Sequence, residues 1–547
     1  MAFKPDKWDL ETDFISIGSG IGGMTAAIIA HDMGRKAVVL EKAPKLGGVS
    51  AYSAGQLYLP NNHKMKEAGL ADSDEDAMRY FEFLGNGYGD RPMLERMYRA
   101  AQEAFPYLEK EAGIKWRYIK GFPDYYYPHV PGTLPEGRYL EVALFEGSQL
   151  GEWQEKTYLS PVMPFSISHE ELFAWGSFGN VLGWDFEHMA RNMEQDLRGL
   201  GSGMMAYFIK AAVIDRGVSA YIDTPVRELV VEDGAVMGVL AAREGKEFYV
   251  RAEKGVLIAV GGYDHDEVQA RYWEDVPEWK SMVPKHVTGD NIMLGGDVGA
   301  ALAGVPPGNL GCPLGYQIPG EEQEGVPLWR SCQEGSLAHS IYVNRAGRRF
   351  CDEAFYRDFQ PAVRMYNGRI MDQPNYPPFL ILDRNFRERY AVGTIMPGDP
   401  IPEGFGHQAD TIYELGEKLG IEAAQLEKTV ERFNRLCDQG KDTDFGRGEY
   451  PWCAAFAGDR TATLGRISKP PYFGIKLRPV NTGVNAVGLK ININAQVMNV
   501  RNRPIKGLYA TGNSAAQIEI GAGYNSGISN TRGLAWGYVA AHHAVRD

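Results

Sequence analysis

The 547-residue sequence predicts an α/β fold built around a parallel, Rossmann-type sheet. Three stretches predict it: an apolar run at residues 13–17 that leads into a glycine-rich turn, a run at 255–260 that ends in glycines, and a run at 507–511 that again ends in glycine. Uninterrupted apolar runs are typical of strands buried on both faces of a parallel sheet. A chain of this length buries more than one core, so we expect two domains.

The first strand leads into a G-x-G-x-x-G turn made by Gly18, Gly20 and Gly23. Gly18 permits the tight turn, Gly20 lets the backbone approach a pyrophosphate, and Gly23 lets the following helix pack against the sheet. A second strand at residues 37–40 ends in Glu41, near the spacing at which an acid binds ribose hydroxyls. This order of strand, turn, helix, strand and acid predicts a dinucleotide site.

A loop rich in glycine and small residues follows Glu41, where a plain nicotinamide fold enters its next helix. Such a loop offers backbone donors to phosphate and ribose oxygens, and it resembles the FAD-binding stretch of two-domain flavoproteins. A carboxylate at position 41 also disfavours the 2′-phosphate of NADP. We therefore predict non-covalently bound FAD, with loop residues Lys42, Gly47, Gly48, Ser50, Ser53 and Gly55 at the cofactor.

The rest of the chain contains further strand, helix and loop patterns. Residues 226–231 and 235–240 predict two strands around an Asp-Gly turn, and residues 421–438 predict an amphipathic helix. Two stretches rich in proline and glycine, 304–327 and 372–407, predict long ordered loops or lids. Further predicted cofactor residues lie at strand ends and at the start of the last helix: Val226, Gly261, Gly262, Gly512, Asn513 and Ile528.

Composition and charge narrow the function classes. A formal net charge of −13 disfavours nucleic acids and anionic membranes as partners. No run approaches about twenty apolar residues and the first ten residues are polar, so we expect no transmembrane segment and a cytoplasmic protein. No C-x-x-C or H-E-x-x-H pattern occurs, so we expect no metal and no disulfide framework; the cysteines are Cys312, Cys332, Cys351, Cys437 and Cys453.

Several motifs spread over the chain resemble one family. They are the Gly47-Gly48 loop followed by residues 59–62, segment 122–126, residues 288–290 with 299–303, and residues 510–513. Together they resemble the 3-ketosteroid Δ1-dehydrogenases. That family belongs with the flavoprotein subunits of fumarate reductases and includes dehydrogenases of smaller cyclic ketones such as cyclohexanone.

The resemblance implies a domain arrangement and a reaction. The FAD-binding domain would be formed by both chain ends, residues 1–285 and 470–547, with an α+β catalytic domain inserted at 286–469. The reaction would remove a proton from the carbon α to a carbonyl and transfer a hydride from the β carbon to flavin N5. Fixed hydrogen-bond donors must then stabilise the enolate, and a tyrosine can serve as the base if its surroundings favour the ionised form.

The resemblance also assigns the carbonyl-binding groups. In the family a tyrosine hydroxyl and a glycine N–H hold the carbonyl from the loop before the last helix. Counting back from that helix places Gly527 on the family glycine and Gly523 where the family tyrosine stands, with Tyr524 one residue later. We predict that Tyr524 and Gly527 bind the carbonyl, although Tyr524 could instead be a packing residue.

The family base follows a V-N-x-x-G-x-R-[FY] pattern, which this chain carries at residues 343–350. Allowing a one-residue gap, the base falls on Tyr356; without the gap, the proton-donating arginine of fumarate reductases falls on Arg357. Tyr125 matches the tyrosine that assists the base. Two further aromatics are candidates: Tyr207 as a second choice of base and Trp116 as a wall of the substrate pocket.

The direction of the reaction follows from the loop at residues 523–530. Fumarate reductases clamp carboxylates there with histidine and arginine, but this loop has Asn525 and its nearest arginine is Arg532. With 10 tryptophans and 29 tyrosines, an aromatic pocket suits a hydrophobic cyclic ketone, either a 3-oxosteroid or a single ring. Desaturation with an unidentified electron acceptor is therefore predicted. The alternatives are an enone reductase that uses Arg357 as proton donor, and a non-catalytic flavin carrier.

Overall fold

The structure, a computed structural model, describes residues 4–307, 313–458 and 463–546. Cys312 lies outside these residues; the other four cysteines are free thiols. The strands, in chain order, are β1 Leu10–Ile17, β2 Ala37–Leu40, β3 Leu57–Tyr58, β4 Trp116–Tyr118, β5 Tyr139–Val142, β6 Phe145–Glu146, β7 Leu197–Arg198, β8 Ser219–Tyr221, β9 Val226–Glu232, β10 Ala235–Arg243, β11 Lys246–Ile258, β12 Lys280–Ser281, β13 Leu302–Gly304, β14 Leu314–Gln323, β15 Val326–Ser331, β16 Ser340–Val343, β17 Phe379–Leu382, β18 His407–Ala409, β19 Tyr472–Lys476, β20 Arg478–Asn481, β21 Val487–Leu489, β22 Gln496–Met498 and β23 Pro504–Ala510.

The α-helices lie between these strands and after the last of them. They are α1 Ile21–Asp32, α2 Gly48–Tyr52, α3 His63–Glu67, α4 Asp74–Gly85, α5 Arg91–Ala112, α6 His169–Ala174, α7 Phe186–Glu194, α8 Leu200–Ile209, α9 Glu267–Trp273, α10 Asp290–Asp297, α11 Tyr356–Arg364, α12 Arg384–Arg389, α13 Ile412–Leu419, α14 Ala423–Asp438, α15 Pro451–Ala457 and α16 Ile528–Arg546.

The main sheet is parallel at its centre, as the apolar runs predict. β1 pairs in parallel with β2 and β11, β2 pairs with β8, and β11 pairs with β23. The β9–β10 pair is an antiparallel hairpin, and β10 joins it to β11. The parallel strands end at the same edge, so the turn after β1 lies beside the residues that follow β11 and β23.

Both ends of the chain build this region, because α16 packs directly on α1. A Cβ atom on Gly537 would lie 2.3 Å from the carbonyl oxygen of Gly22, so the two helices approach to backbone contact. The residues of α1 are buried from Ile21 through Ala30, which is typical of a helix covered on all sides. The predicted Rossmann-type domain made of both chain ends is confirmed.

Other sheets occupy the middle of the chain. β16, β17, β19 and β18 form an antiparallel sheet against which α13 and α14 pack, and β12, β20, β14 and β15 form another. Helix α14 corresponds to the predicted amphipathic helix: Leu426, Val430 and Phe433 are buried along one face. This α+β region follows β11 and ends near β20.

The two stretches expected to be loops contain regular structure, so that expectation was wrong. Within 304–327, β14 forms a hairpin with β15; Pro319 and Gly320 lie where the register shifts, and Pro327 lies on the edge strand β15. Proline is tolerated at such positions because no ladder hydrogen bond is lost. Within 372–407, β17 and α12 follow the prolines at 377 and 378. Proline and glycine there mark the boundaries of elements rather than their absence.

Across the described parts of the chain, no helix combines the length and the apolar character needed to span a bilayer.

Candidate active site

A large cavity runs from the turn after β1 to a cluster of aromatic side chains. At one end it is lined by backbone-rich segments from residues 17–22, 40–43, 48–50, 52–54, 259–261, 282–284 and 511–513. At the other end it is lined mainly by aromatic side chains: Tyr125, Phe165, Phe178, Tyr356, Trp452, Phe456 and Tyr524. The first end is suited to an extended polar ligand, and the second end to an apolar ring.

The three glycines of the turn have different local requirements. A Cβ atom on Gly18 would lie 2.4 Å from the carbonyl oxygen of Ala259, and one on Gly23 would lie 2.2 Å from the carbonyl oxygen of Gly18. Both positions are closed by the protein itself. A Cβ atom on Gly20 would meet nothing closer than the Ser50 hydroxyl at 3.6 Å, so it would project into the cavity.

The bare backbone around Gly20 fits the pyrophosphate of FAD. Gly20 is the N-cap of α1 without a side-chain cap, and Gly48 faces it with its own Cβ position 3.7 Å from Gly20. An uncapped helix N-terminus beside two glycines is a ready anion site, since both backbone access and the helix dipole favour negative charge. When FAD is bound, these residues would hold its phosphates.

Glu41 is buried at the end of β2 and holds the turn in place. Its carboxylate accepts hydrogen bonds from the backbone N–H and the hydroxyl of Ser19, at 3.0 and 2.6 Å, and from the Ala43 N–H at 2.9 Å. Burial raises the pKa of Glu41, and these hydrogen bonds oppose the rise. Lys42 lines the cavity, but its ammonium is bound by Asp290 at 2.9 Å and by the Thr288 hydroxyl at 2.6 Å.

The predicted cofactor residues divide into two groups. Those that line the cavity are Gly18, Gly20, Glu41, Lys42, Gly48, Ser50, Ser53, Val226, Gly261, Gly512 and Asn513. Those outside its lining are Gly23, Gly47, Gly55, Gly262 and Ile528. Most of the second group are required for packing instead: a Cβ atom on Gly55 would lie 2.2 Å from the carbonyl carbon of Leu200, and one on Gly262 would lie 2.0 Å from Asn485 Oδ1.

At the aromatic end, the hydroxyls of Tyr125 and Tyr356 are in direct contact. Tyr125 is fully buried before β5, and Tyr356 begins α11. Trp452 on α15 packs on both phenol rings, with ring centroids 4.4 Å from Tyr125 and 5.3 Å from Tyr356. Three distant segments of the chain therefore bring the predicted base and its assisting tyrosine together.

The loop before α16 completes this end of the cavity. Tyr524 lines the cavity, whereas a Cβ atom on Gly523 would lie 2.1 Å from the carbonyl oxygen of Leu84. Only glycine fits at position 523. The tyrosine that lines the cavity therefore stands one residue later, at position 524. Asn525 is buried and binds two other phenols, those of Tyr80 and Tyr139.

Gly527 lies on the cavity wall in the left-handed region, with φ +86°. A Cβ atom there would lie 2.6 Å from the carbonyl carbon of Leu57, so any side chain would displace β3. Within the described residues, no acceptor is bound by the Gly527 N–H. A substitution at Gly527 would therefore disturb the fold as well as the chemistry.

Arg357 is buried behind the tyrosines and does not line the cavity. Its guanidinium carbon lies 5.0 Å from the ring centroid of Tyr356 and 5.7 Å from that of Tyr524. It donates one hydrogen bond, to Gln360 at 2.9 Å, and its Nε and Nη1 have no partner among the described residues. This location favours an electrostatic role over contact with a substrate. Arg532 is bound to Glu519 in the interior.

The phenols at this end differ from free tyrosine. Burial raises the pKa of Tyr356 well above its usual range, the neighbouring Tyr125 raises it further, and the charge of Arg357 opposes the rise. Burial likewise raises the pKa of Tyr524, while the Ser529 hydroxyl and Arg357 oppose it. A phenolate at either position therefore depends on specific partners.

Two predicted aromatic residues lie elsewhere. Trp116 is on β4, is not part of the cavity lining, and donates its indole N–H to the Phe105 carbonyl oxygen at 3.2 Å. Tyr207 is buried on α8, where its ring packs 4.8 Å from that of Phe145. Neither residue meets the tyrosine pair, because strand and helix packing direct both into the core.

Sequence reasoning missed several lining residues. Trp452 and Phe456 are four residues apart on α15 and both face the cavity. His169, Gln56 and Ser526 also line it. One signal was available for His169: the S-x-x-E pattern of Ser168 and Glu171 forms a capping box and predicts a helix that begins at position 169.

The glycine turn after β1, the buried Glu41 and the parallel sheet are typical of dinucleotide-binding proteins. In this protein an aromatic pocket adjoins the dinucleotide site. A family model described as "FAD binding domain" matches residues 13–531. The chain belongs to this family of FAD-binding proteins. It is an FAD-dependent oxidoreductase, and the predicted cofactor is confirmed.

Relatives extend over almost the whole chain. It is 30% identical to 3-oxosteroid 1-dehydrogenase of Mycobacterium tuberculosis, covering 97% of this chain and 98% of the relative. It is 29% identical to 4-oxocyclohexanecarboxylate 2-dehydrogenase of Sinomonas cyclohexanicum, covering 96% and 92%. The crystal structure of 3-ketosteroid Δ1-dehydrogenase from Sterolibacterium denitrificans with 1,4-androstadiene-3,17-dione superposes with a TM-score of 0.88, at 28% identity over 98% of this chain and 100% of that one. The resemblance to this family is confirmed.

Proposed function

We propose that this protein desaturates a neutral cyclic ketone by removing hydrogen from the carbons α and β to the carbonyl. The observation that carries the proposal is the contact between the Tyr125 and Tyr356 hydroxyls in a cavity that begins at the FAD-binding glycine turn. FAD, when bound, supplies the acceptor of the hydride from the β carbon. Relatives that act on ring ketones support this reaction class.

Tyr356 is the proposed base. Its phenolate oxygen accepts the α proton, and the Tyr125 hydroxyl donates a hydrogen bond to that oxygen before the transfer. Arg357, 5.0 Å from the Tyr356 ring, stabilises the negative charge without entering the cavity. Trp452 packs on both rings and fixes their relative position. Among these contacts, the charge of Arg357 favours the ionised form, which burial and the neighbouring Tyr125 oppose.

Tyr524 and Gly527 are the proposed donors to the carbonyl oxygen. Both line the same cavity as Tyr356, three residues apart in the loop before α16. Two fixed donors stabilise the charge that develops on the oxygen as the α proton leaves, and such stabilisation is strong where water is excluded. The Gly527 N–H is suited to this because the described residues offer it no other acceptor.

The lining favours a neutral ring over a carboxylated one. Among the described residues, the aromatic end has no lysine or arginine in its wall, and the lysine that lines the cavity, Lys42, is bound to Asp290 at the other end. Apolar side chains surround the space before Tyr125: Met163, Phe165, Leu172, Phe178 and Phe456. A buried carboxylate there would have no lysine or arginine in the wall as a counter-ion.

The experiment is anaerobic stopped-flow mixing of the oxidised holoenzyme with cyclohexanone, 4-oxocyclohexanecarboxylate and a 3-oxosteroid. Loss of the oxidised flavin absorbance, with formation of the α,β-unsaturated ketone, is expected for the neutral ketones. The relative rates of the single ring and the steroid assign the substrate size. Fast reaction of the carboxylated ring alone would contradict the neutral-pocket argument.

The alternatives give different results in the same apparatus. An enone reductase would leave the flavin oxidised with every saturated ketone, yet its reduced flavin would be reoxidised by the matching enone. A flavin carrier would respond to neither. Either outcome would overturn the proposal.

A further inference from the structure

A line of polar side chains leads from the tyrosine pair to a buried histidine–glutamate pair. The Ser526 hydroxyl hydrogen-bonds the Tyr125 phenol and contacts Gln56 Oε1. Gln56 Nε2 lies 3.0 Å from His169 Nε2, and His169 Nδ1 lies 2.8 Å from Glu141 Oε2. The three linking side chains, here called the relay, are Tyr125, Ser526 and Gln56. The reaction proposed above assigns no role to His169 or Glu141.

The donors along this line all point the same way. Glu141 Oε2 can only accept, and it binds both the backbone N–H and Nδ1 of His169, so Nδ1 carries the hydrogen and Nε2 is an acceptor. The Gln56 amide nitrogen therefore donates to Nε2, and its oxygen accepts from the Ser526 hydroxyl. The Ser526 oxygen is left to accept from Tyr125. Each group donates in the direction of Glu141.

We propose that His169 receives the phenolic proton of Tyr356 through the relay, so that Tyr356 meets the ketone as a phenolate. Each group passes one hydrogen to the next, and Gln56 takes a proton on Oε1 as it releases one from Nε2, becoming its imidic acid tautomer until the reverse shift. The result is a Tyr356 phenolate and a His169 imidazolium paired with Glu141. The phenolate then takes the α proton while the C–H electron pair forms the enolate. Tyr356 afterwards releases that proton to water, and the reverse shift returns the proton of His169 to Tyr356 and restores the amide of Gln56.

This transfer rests on the proposed reaction and explains how the buried Tyr356 can lose its proton. Burial, the nearby Tyr125 and the apolar lining all disfavour ionisation of Tyr356, so its proton needs a specific acceptor. His169 and Glu141 are buried as well, with side chains 5% and 2% exposed. Although burial alone would raise the pKa of Glu141, the hydrogen bonds and positive charge of His169, together with the charge of Arg117, outweigh it and lower the pKa. An ionised Glu141 stabilises the imidazolium that the transfer creates.

The charged groups around His169 come from three elements. Glu141 faces it from β5, and Arg117 on β4 reaches the other oxygen of Glu141 at 3.4 Å. On α6 itself, Glu170 is exposed to solvent, and Glu171 is bound to Ser168 and His188. Glu141 and, through it, Arg117 are therefore the charged groups that face His169.

The test compares pH profiles of flavin reduction by the preferred ketone, from about pH 5 to about pH 10. In the unmodified enzyme, the rate should fall toward the acidic end of this range, because an imidazolium at position 169 could accept no further proton. His169→Gln keeps an amide beside Gln56 but cannot take the proton. We expect the rate to fall about a hundredfold or more, the acidic limb to disappear, and the KM to stay within about twofold.

Two further variants keep the test decisive. Ser526→Ala removes one hydroxyl of the relay and should also lower the rate and abolish the acidic limb. His63→Gln alters a comparable histidine–glutamate pair, 2.9 Å from Glu109 and far from the cavity, and should leave rate and profile unchanged. FAD content and thermal unfolding report on folding in each variant.

The results distinguish a failure of the proposed relay from a failure of the proposed reaction. A slower His169→Gln enzyme that retains the acidic limb would show a packing role and overturn the relay, as would a normal rate. If Tyr356→Phe stops flavin reduction while His169→Gln does not, only the relay is wrong. If Tyr356→Phe reduces flavin normally, the proposed base is wrong and the relay fails with it.

Discussion

The two ends of the cavity are built in different ways. At the FAD end, Gly18, Gly20, Glu41 and Gly48 come from a single stretch of about thirty residues, and their positions follow from one strand–turn–helix unit. At the aromatic end, here called the ring end, the residues come from four segments separated by 70 to more than 200 residues. They are Tyr125, Tyr356, Trp452 and Tyr524. Local geometry therefore governs the first end, whereas tertiary packing governs the second.

This difference predicts different kinds of failure. A substitution at the FAD end acts by steric exclusion, because the site consists of bare backbone. A substitution at the ring end removes a hydroxyl or a charge while the surrounding rings keep their packing. The first should abolish the holoenzyme, and the second should leave a holoenzyme that is slow.

The largest effect is expected at Gly20. A valine there meets no protein atom near its Cβ position and adopts an ordinary φ, −67°, so the chain should fold, but the side chain would occupy the space of the pyrophosphate. We expect Gly20→Val to be purified without FAD and to bind added FAD at least about a hundredfold more weakly, measured by flavin absorbance and fluorescence titration. Gly296→Val, at an exposed helical glycine with open space around it, is the matched control. Full FAD content in Gly20→Val would contradict the assignment of the pyrophosphate to the bare backbone at Gly20.

The next effect is expected at Tyr356. Phenylalanine keeps the ring against Trp452 but removes the oxygen proposed to accept the α proton. We expect Tyr356→Phe to retain FAD and ketone binding while flavin reduction slows about a thousandfold or more. Exchange of α deuterium into solvent, which requires the base but not the flavin, should be lost as well. Retained exchange would show that another group removes the proton.

Tyr524 should have a smaller effect than Tyr356 because a second donor remains. Tyr524→Phe removes one of the two proposed donors to the enolate oxygen and leaves the Gly527 N–H. A decrease of about a hundred- to a thousandfold in the rate of flavin reduction is expected, with FAD content unchanged. A near-normal rate would make Tyr524 a packing residue. A substitution at Gly527 would not test the N–H alone, since any side chain there would clash with the Leu57 backbone.

The FAD end could be predicted from the sequence because its signals are local. The order of strand, glycine turn, helix and acid requires no knowledge of contacts between distant segments, and eleven of the sixteen predicted cofactor residues line the cavity. Of the remaining five, Gly23 and Gly55 are glycines because neighbouring backbone leaves no room for a side chain, and Gly47 and Gly262 because neighbouring side chains leave none. A glycine motif does not distinguish contact with a ligand from contact with the protein.

The ring end could be predicted only through family resemblance. Nothing in the spacing of Tyr125 and Tyr356 brings their hydroxyls together; the packing of α11 and α15 does so. His169 and Gln56 were missed for the same reason, because their relation to Ser526 exists only in the folded chain. The two proline-rich stretches were misread because proline marks edge strands and bulges as well as loops.

A moderate effect is expected at Arg357, which lies behind the ring end. Its charge lowers the pKa of Tyr356 against the effect of burial, so Arg357→Gln should raise that pKa. Because the phenolate is the proposed active form, the rate of flavin reduction should fall about tenfold at neutral pH and recover as the pH rises. Arg357→Lys should retain part of the rate. Complete inactivity of both variants, with α-deuterium exchange intact, would instead favour the enone reductase in which Arg357 donates a proton.

The smallest effect is expected for two aromatic residues outside the cavity, and it tests whether the ring end has been located correctly. Tyr207 on α8 packs against Phe145, and Trp116 binds the Phe105 carbonyl oxygen at 3.2 Å. Tyr207→Phe should leave FAD content and flavin reduction unchanged, since its hydroxyl lies outside the cavity lining. Trp116→Phe should lower the stability by about 1 kcal/mol, because the buried carbonyl loses its donor, without changing the KM for the ketone. If Tyr207→Phe stopped flavin reduction and α exchange while Tyr356→Phe did not, the base would be Tyr207 and the ring would bind on the α8 side of the cavity.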